Sequence, residues 1–394
     1  CHCISKIYLR MLHLEDSEST LYKIGGLNMR LRKLLGIMIA VLAIAGCCVF
    51  VYYQINPDSA GRIKAGKNTK VEEKHNPKVP SPVDSISYLD ESDKSLDLKS
   101  VPESYIDPAE QQGKLDTLKY ETKDYDDDEE KMIKYVVVYT PYDYNPDEEY
   151  DIIYMLHGHT GSANTWLGSP DDPNYTKNCL DHLIEDGYVK PMIAVSMTYY
   201  DNNEDEDTDN YDRDLLEPFG KELKNDIIPA VESKYSTFAK NTDAKDLTES
   251  RDHRIFCGFS MGGVTASYRI CDSMDYFRYF IPLSGSFYWS NLLSQNDDKF
   301  NSGIYMADAI KKQGYGPDDF FIFSEAGTED FAYDVVKYQV SDMQTMGNMF
   351  KFGMPGEDGV NCAYGIGAGE DHDRHGRTTA IYNILPFISN MISE

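Results

Sequence analysis

The chain has 394 residues, and its 41% hydrophobic and 12% aromatic content, with 30 Tyr, excludes a wholly disordered polymer and allows one large domain with extensions. A formal net charge of −28 excludes a nucleic-acid partner, because a phosphate backbone would be repelled and no Lys/Arg-rich patch lies beyond residue 80. None of the eight cysteines stands in a C-x-x-C pair or a Cys/His zinc spacing, which argues against a metal centre, and only four fall in the expected folded part, too few and scattered for a disulfide scaffold.

Residues 1–28 show no periodic pattern and are expected to be a leader outside the fold. The run 34–53, LLGIMIAVLAIAGCCVFVYY, is uncharged and about long enough to cross a bilayer core of roughly 30 Å as a helix. Arg30, Arg32 and Lys33 precede it, and positive charge there keeps the preceding end in the cytoplasm. A second reading takes 29–55 as a lipoprotein signal, with Ile44-Ala45-Gly46-Cys47 as the cleavage region and Cys47 as the lipidated residue. Both readings place the downstream domain at the extracellular face of the cell membrane. Residues 56–100 are rich in Lys, Ser, Pro and Asp and predict a flexible tether, leaving 101–394 as the folded domain.

Beyond residue 130, short β-branched or aromatic runs alternate with longer amphipathic ones, the pattern of an α/β domain whose mostly parallel central sheet has helices on both faces. Strands are expected at 134–140 and 152–156. The second runs into Leu156-His157-Gly158-His159-Thr160-Gly161, a glycine-spaced turn suited to presenting the backbone N–H of His159 to an oxyanion. Two histidines in this loop raise a metal reading, but no Cys, Asp or Glu accompanies them there. After a strand at 192–198 comes an Asp-rich stretch, 201–207, which lacks the Gly and terminal Glu of a calcium loop and reads as solvated acid. Leu215, Phe219, Leu223, Ile227 and Val231 then recur at four-residue steps and predict a helix over 215–235.

Gly258-Phe259-Ser260-Met261-Gly262 matches G-x-S-x-G, with a strand-like run before it (254–257) and a helix-compatible run after it. In that context Ser260 sits on a sharp turn that exposes its hydroxyl, and the Met261 N–H at the helix start faces the oxyanion formed on attack. Such a serine needs a base and an orienting carboxylate, which come after it in the order acid, then histidine. Strands expected at 279–283, 320–324 and 361–366 and helices at 331–350 and 378–391 frame the search. Asp330 is the preferred acid in Glu325-Ala326-Gly327-Thr328-Glu329-Asp330, with Glu325 and Glu329 as alternatives. Only His372 and His375 come after Ser260, and His372 is chosen because it lies closer to the strand end.

Tyr139-Thr140-Pro141, YDIIYMLHG at 150–158, GSANTW at 161–166, the GFSMGG elbow, Ser284-Gly285-Ser286, Gly327-Thr328-Glu329-Asp330 and His372-Asp373 fall in the order found in carbohydrate esterase family 1. The chain from about residue 100 to 394 resembles that family of feruloyl and acetylxylan esterases, which is similar to the esterase D group. The resemblance implies the α/β-hydrolase fold, a triad of Ser260, Asp330 and His372, oxyanion donors at Met261 and His159, and no cofactor. It also implies acylated plant polysaccharide as substrate, feruloyl ahead of acetyl. Rival expectations are an acyltransferase or small-conjugate esterase of the same fold, and a surface carbohydrate-binding protein without chemistry. The chain departs from the family pattern at Glu370-Asp371, where glycines often precede the histidine, and lacks the tryptophan that often comes after it.

Overall fold

The computed structural model describes residues 81–125, 131–200, 213–288 and 300–393. The leader, the apolar run 34–53, most of the expected tether and the Asp-rich stretch 201–207 lie outside the described residues. Among those described, no helix is long and apolar enough to cross a membrane.

Ten strands build the central sheet: β1 (Ser87–Asp90), β2 (Ser95–Leu98), β3 (Lys114–Lys123), β4 (Lys131–Thr140), β5 (Asp151–Leu156), β8 (Met192–Met197), β9 (Arg254–Phe259), β10 (Tyr279–Leu283), β11 (Phe321–Gly327) and β12 (Cys362–Gly367). Two further short strands, β6 (Gly168–Ser169) and β7 (Asp172–Pro173), make a separate small hairpin. The order across the large sheet is β1-β2-β12-β11-β10-β9-β5-β8-β4-β3. Pairing is parallel from β2 through β12, β11, β10, β9 and β5 to β8, and antiparallel for β8 with β4, β4 with β3 and β1 with β2. Every residue of β5, β8, β9, β10, β11 and β12 is buried, which explains why they read as continuous apolar runs rather than alternating ones.

Helices cover both faces. On one, Cys179, Leu180 and Leu183 of α1 (Tyr175–Glu185) and Ala380, Ile381 and Leu385 of α5 (Arg374–Ser393) join the cluster that contains Ile255, Cys257, Phe321 and Phe323. On the other, Val264 and Ile270 of α2 (Met261–Asp272) and Met306 and Ile310 of α3 (Ser302–Lys312) join the cluster that contains Phe256, Phe280 and Ile322. The helix α4 (Tyr333–Thr345) lies over β11, where Val336 and Val340 meet Ala326. Cys179, Cys257, Cys271 and Cys362 are free thiols.

Two expectations change. The single helix expected at 215–235 is broken into helical turns at Arg213–Leu216, Phe219–Glu222 and Ile228–Glu232, with a π-turn at Leu223–Ile227. Four-residue steps drift around a 3.6-residue helix, and the wider π-turn brings Phe219, Leu223, Ile227 and Val231 back to one buried face. The expected tether runs to residue 100, yet β1 and β2 lie within that span, and β2 pairs in parallel with β12. The long strand β3 had no expectation at all, because KLDTLKYETK is an edge strand whose exposed side carries its charges.

Candidate active site

The carboxyl ends of β5, β9, β11 and β12 deliver four loops to one rim of the sheet: 157–161, the turn at Ser260, 328–332 and 368–373. This is where ligands bind in open α/β sheets.

Ser260 links β9 to α2 with φ 58° and ψ −118°, a left-handed conformation that a non-glycine residue keeps only when its surroundings enforce it. Its N–H donates to Leu283 O at 2.9 Å and its carbonyl accepts from Val264 N–H at 3.0 Å. The flanking glycines are required by space. A methyl on Gly258 would lie 1.9 Å from Gly262 O, and one on Gly262 would lie 2.3 Å from Leu156 O. Ser260 is 8% exposed, and its Oγ has no hydrogen-bond partner among the described residues.

Gly158 crosses directly over the serine, since a methyl there would sit 2.8 Å from Ser260 Cβ and 3.3 Å from its Oγ. The adjoining His157 is fully buried and holds this loop. Its Nδ1 donates to Gly158 O at 2.6 Å, and its Nε2 meets Thr198 Oγ1 at 2.8 Å, from which the neutral ring accepts. Burial lowers its pKa to about 4, against a smaller opposing effect of the Gly158 hydrogen bond. Gly158 C=O and His159 N–H belong to one trans peptide plane and point in opposite directions, so His157 sets the aim of the His159 N–H by holding the carbonyl. Met261 begins α2, whose first N–H groups have no partner inside the helix. The two expected oxyanion donors therefore flank the serine from β5 and from α2. No metal role falls to His157.

Of the three carboxyls considered for the acid, Asp330 meets the imidazole: His372 Nδ1 donates to Asp330 Oδ1 at 2.8 Å. Asp330 is 4% exposed and also accepts the Ala332 N–H at 2.6 Å. Glu329 is exposed, and Glu325 is buried on β11. The His372 ring packs against two aromatic rings, Phe259 at 4.6 Å and Phe331 at 4.0 Å between centroids. Phe259 immediately precedes Ser260, so the imidazole stands against the elbow itself. His375 pairs instead with Glu370, Nδ1 to Oε2 at 2.6 Å.

Several residues at this rim carry no signal in the sequence. Phe331 is 59% exposed while covering His372, and only its place directly after Asp330 could have drawn notice. Arg377 donates to Thr165 O at 2.8 Å and lies over the rings of Trp166 and Phe259 at 5.2 and 5.6 Å, tying the GSANTW loop to the elbow strand. Its burial pulls the guanidinium pKa down to about 10. Glu370, a departure from the family pattern, accepts from Ser100 Oγ at 2.7 Å, Thr379 Oγ1 at 3.1 Å and His375, and so pins the histidine loop to the domain.

Chemically, a hydroxyl on a strained elbow with an oriented imidazole nearby, and backbone N–H groups expected at His159 and Met261 as oxyanion donors, fit acyl transfer through a covalent intermediate. The Esterase family model matches residues 132–362. Endo-1,4-beta-xylanase Y of Acetivibrio thermocellus is 32% identical over 270 residues, 68% of this chain, and the chain spans 22% of the length of that curated relative. A solved structure of FAE is 31% identical with a TM-score of 0.63, covering 75% of this chain and 94% of that one. A serine-to-alanine mutant of the feruloyl esterase module from Clostridium thermocellum, complexed with sinapinate, is 30% identical with a TM-score of 0.61 and the same coverage.

Proposed function

The chain belongs to the Esterase family, and from that premise we propose that it is a serine carboxylic-ester hydrolase acting on acylated plant cell-wall polysaccharide, with feruloyl esters ahead of acetyl. The observation that carries the chemistry is Ser260 at a strained elbow beside an imidazole already paired to Asp330. The feruloyl preference is supported by the relatives, one a feruloyl esterase module bound to sinapinate and one a xylanase.

In the proposed reaction His372 Nε2 takes the Ser260 proton as Oγ attacks the ester carbonyl, and the Met261 and His159 N–H groups receive the oxyanion. Collapse expels the alcohol with the proton from His372 and leaves an acyl-enzyme. Water, deprotonated by the same ring, then releases the acid and regenerates Ser260. Asp330 holds the Nδ1–H tautomer and stabilises the imidazolium without taking its proton. The reaction requires Ser260 Oγ to come within hydrogen-bond reach of His372 Nε2, a contact that in such sites commonly tightens only with substrate bound. No step needs a cofactor.

The same reading places the domain outside the cell, tethered to the membrane through 29–55; it is supported by the uncharged run 34–53 and the basic residues before it. The deciding experiment incubates the purified chain with methyl ferulate and with acetylated xylan. Ferulate release that disappears in Ser260→Ala is the expected result; no turnover of either substrate removes the proposal.

A further inference from the structure

Three carboxyls are buried together behind the His372 loop. Glu325 is 1% exposed, Asp330 4% and Glu370 5%. Glu325 points to the same side of the sheet as Phe321 and Phe323, by the alternation of β11. Its Oε1 and the Glu370 Cγ lie 3.7 and 2.7 Å from one point, the place a methyl on Gly367 would occupy.

Donors do not suffice for three anions. Glu370 is satisfied by Ser100, Thr379 and His375, and Asp330 Oδ1 by His372 and Ala332. Asp330 Oδ2 and Glu325 Oε2 are buried without a partner. No metal takes up the charge, because among the described residues no group of three His, Cys, Asp or Glu is disposed to hold one. The charges that bear on Glu325 are those of Asp330 after β11 and Glu370 after β12, both acidic. The Cys257 thiol of β9 is on the same face, Tyr364, paired with Ser324, points to the opposite face, and the Arg377 guanidinium of α5 is engaged with Thr165 O and the Trp166 and Phe259 rings. Burial first, then the charges of Asp330 and Glu370, pushes the Glu325 carboxyl well above the carboxylate range.

We propose that Glu325 is a positioning residue for the triad: a neutral carboxylic acid whose O–H supplies the donor that this carboxyl cluster lacks, holding Asp330 as the anion that faces His372. A protonated carboxyl has both a donor and an acceptor, where a carboxylate has acceptors only. The charge state matters to the base. One anion at Nδ1 orients the imidazole, whereas an additional anion beside it would favour the imidazolium and leave no base for Ser260 at neutral pH.

The proposal rests on the triad reading, and infrared spectroscopy separates the two. The difference spectrum of wild type minus Glu325→Gln at pH 7 is expected to contain the carbonyl band of a protonated carboxylic acid, whatever the activity. In the pH profile for a small aryl ester, Glu325→Gln, neutral and nearly isosteric, keeps kcat within about threefold and the acidic limb in place. Glu325→Met, which has no donor, lowers kcat roughly tenfold at unchanged KM. If Glu325→Met does not fold, the Gln variant and the band decide. Absence of the band, an acidic limb displaced downward by about one unit in Glu325→Gln as loss of a negative charge would cause, or full kcat in folded Glu325→Met overturns the proposal. Hydrolysis surviving in Ser260→Ala would overturn the triad and leave the band unaffected.

Discussion

Asp330 Oδ1 and His372 Nδ1 meet at 2.8 Å although 42 residues of chain, including all of α4 and β12, separate them. The contact exists because β11 and β12 are parallel neighbours whose carboxyl ends open at the same level, Gly327 opposite Gly367. Replacing Asp330 with Asn leaves an amide that can bond the ring in its wrong tautomer and cannot stabilise the imidazolium. We expect kcat on an aryl ester to fall by roughly 10³ to 10⁴ with KM little changed. A loss below tenfold would show that Asp330 is not the acid.

Gly158→Ala tests the approach of the β5 loop to the nucleophile. The added methyl would lie 2.8 Å from Ser260 Cβ and 3.2 Å from Phe259 O, neither of which can yield without moving the elbow. Because the variant displaces the oxyanion side as well, kcat/KM should fall by about two orders of magnitude. Fluorophosphonate labelling of Ser260 should slow in parallel while the circular dichroism spectrum stays native. Unchanged labelling would mean the loop is not over the hydroxyl.

His157 makes stability depend on pH with a definite sign. Its folded pKa, about 4, lies below the ordinary 6.5, so between those values the unfolded chain binds a proton that the folded chain refuses. Stability from this residue is therefore complete above pH 6.5 and is lost as pH falls toward 4. Between pH 7 and pH 5 the loss is about 2 kcal/mol by linkage. Denaturant titrations at both pH values should show a pH-dependent difference smaller by that amount in His157→Gln, and an identical difference would refute the assignment.

The amino end of β9, opposite the serine, is held by a buried ion pair. Arg254 Nε meets Glu232 Oε1 at 2.6 Å and its second nitrogen meets Oε2 at 3.0 Å, with both side chains at most 1% exposed. Tyr154 and Thr237 complete the carboxylate. Glu232→Gln leaves the guanidinium without a counter-charge and should cost about 3 to 5 kcal/mol. The denaturation midpoint should drop while kcat at room temperature is retained; a kcat effect without a stability effect would contradict a purely structural role.

How much of the molecule is legible in its sequence depends on how locally each feature is encoded. The elbow can be read because strand, tight turn and helix are contiguous and Gly258 is forced by Gly262, four residues on, although Gly262 itself is forced by Leu156 on the neighbouring strand. The seven expected strands all appear; six are buried along their whole length and so are written as apolar runs, and β4 is buried over most of its carboxyl half. β3 escapes for the converse reason: at an edge, Lys, Asp and Glu alternate with few apolar residues. Phe331 over His372 and Arg377 over Trp166 depend on which loops meet, and no periodicity reports that. Glu370 stands out in the sequence only as a missing glycine, and its role emerges from Ser100 and Thr379, residues from two other segments.

The pairing of β2 with β12 sets a limit on how far the chain can be trimmed. A fragment starting at Val101 would discard what composition alone marks as dispensable spacer, yet it would strip the outer margin from β12 and leave a row of open amides and carbonyls. The present margin, β1, is four residues long, irregular at Tyr88 and acidic at Asp90, features that discourage strand addition by a neighbour. Recombinant fragments cut before residue 82 keep that guard, whereas those cut after residue 98 would be prone to self-association through the exposed ladder.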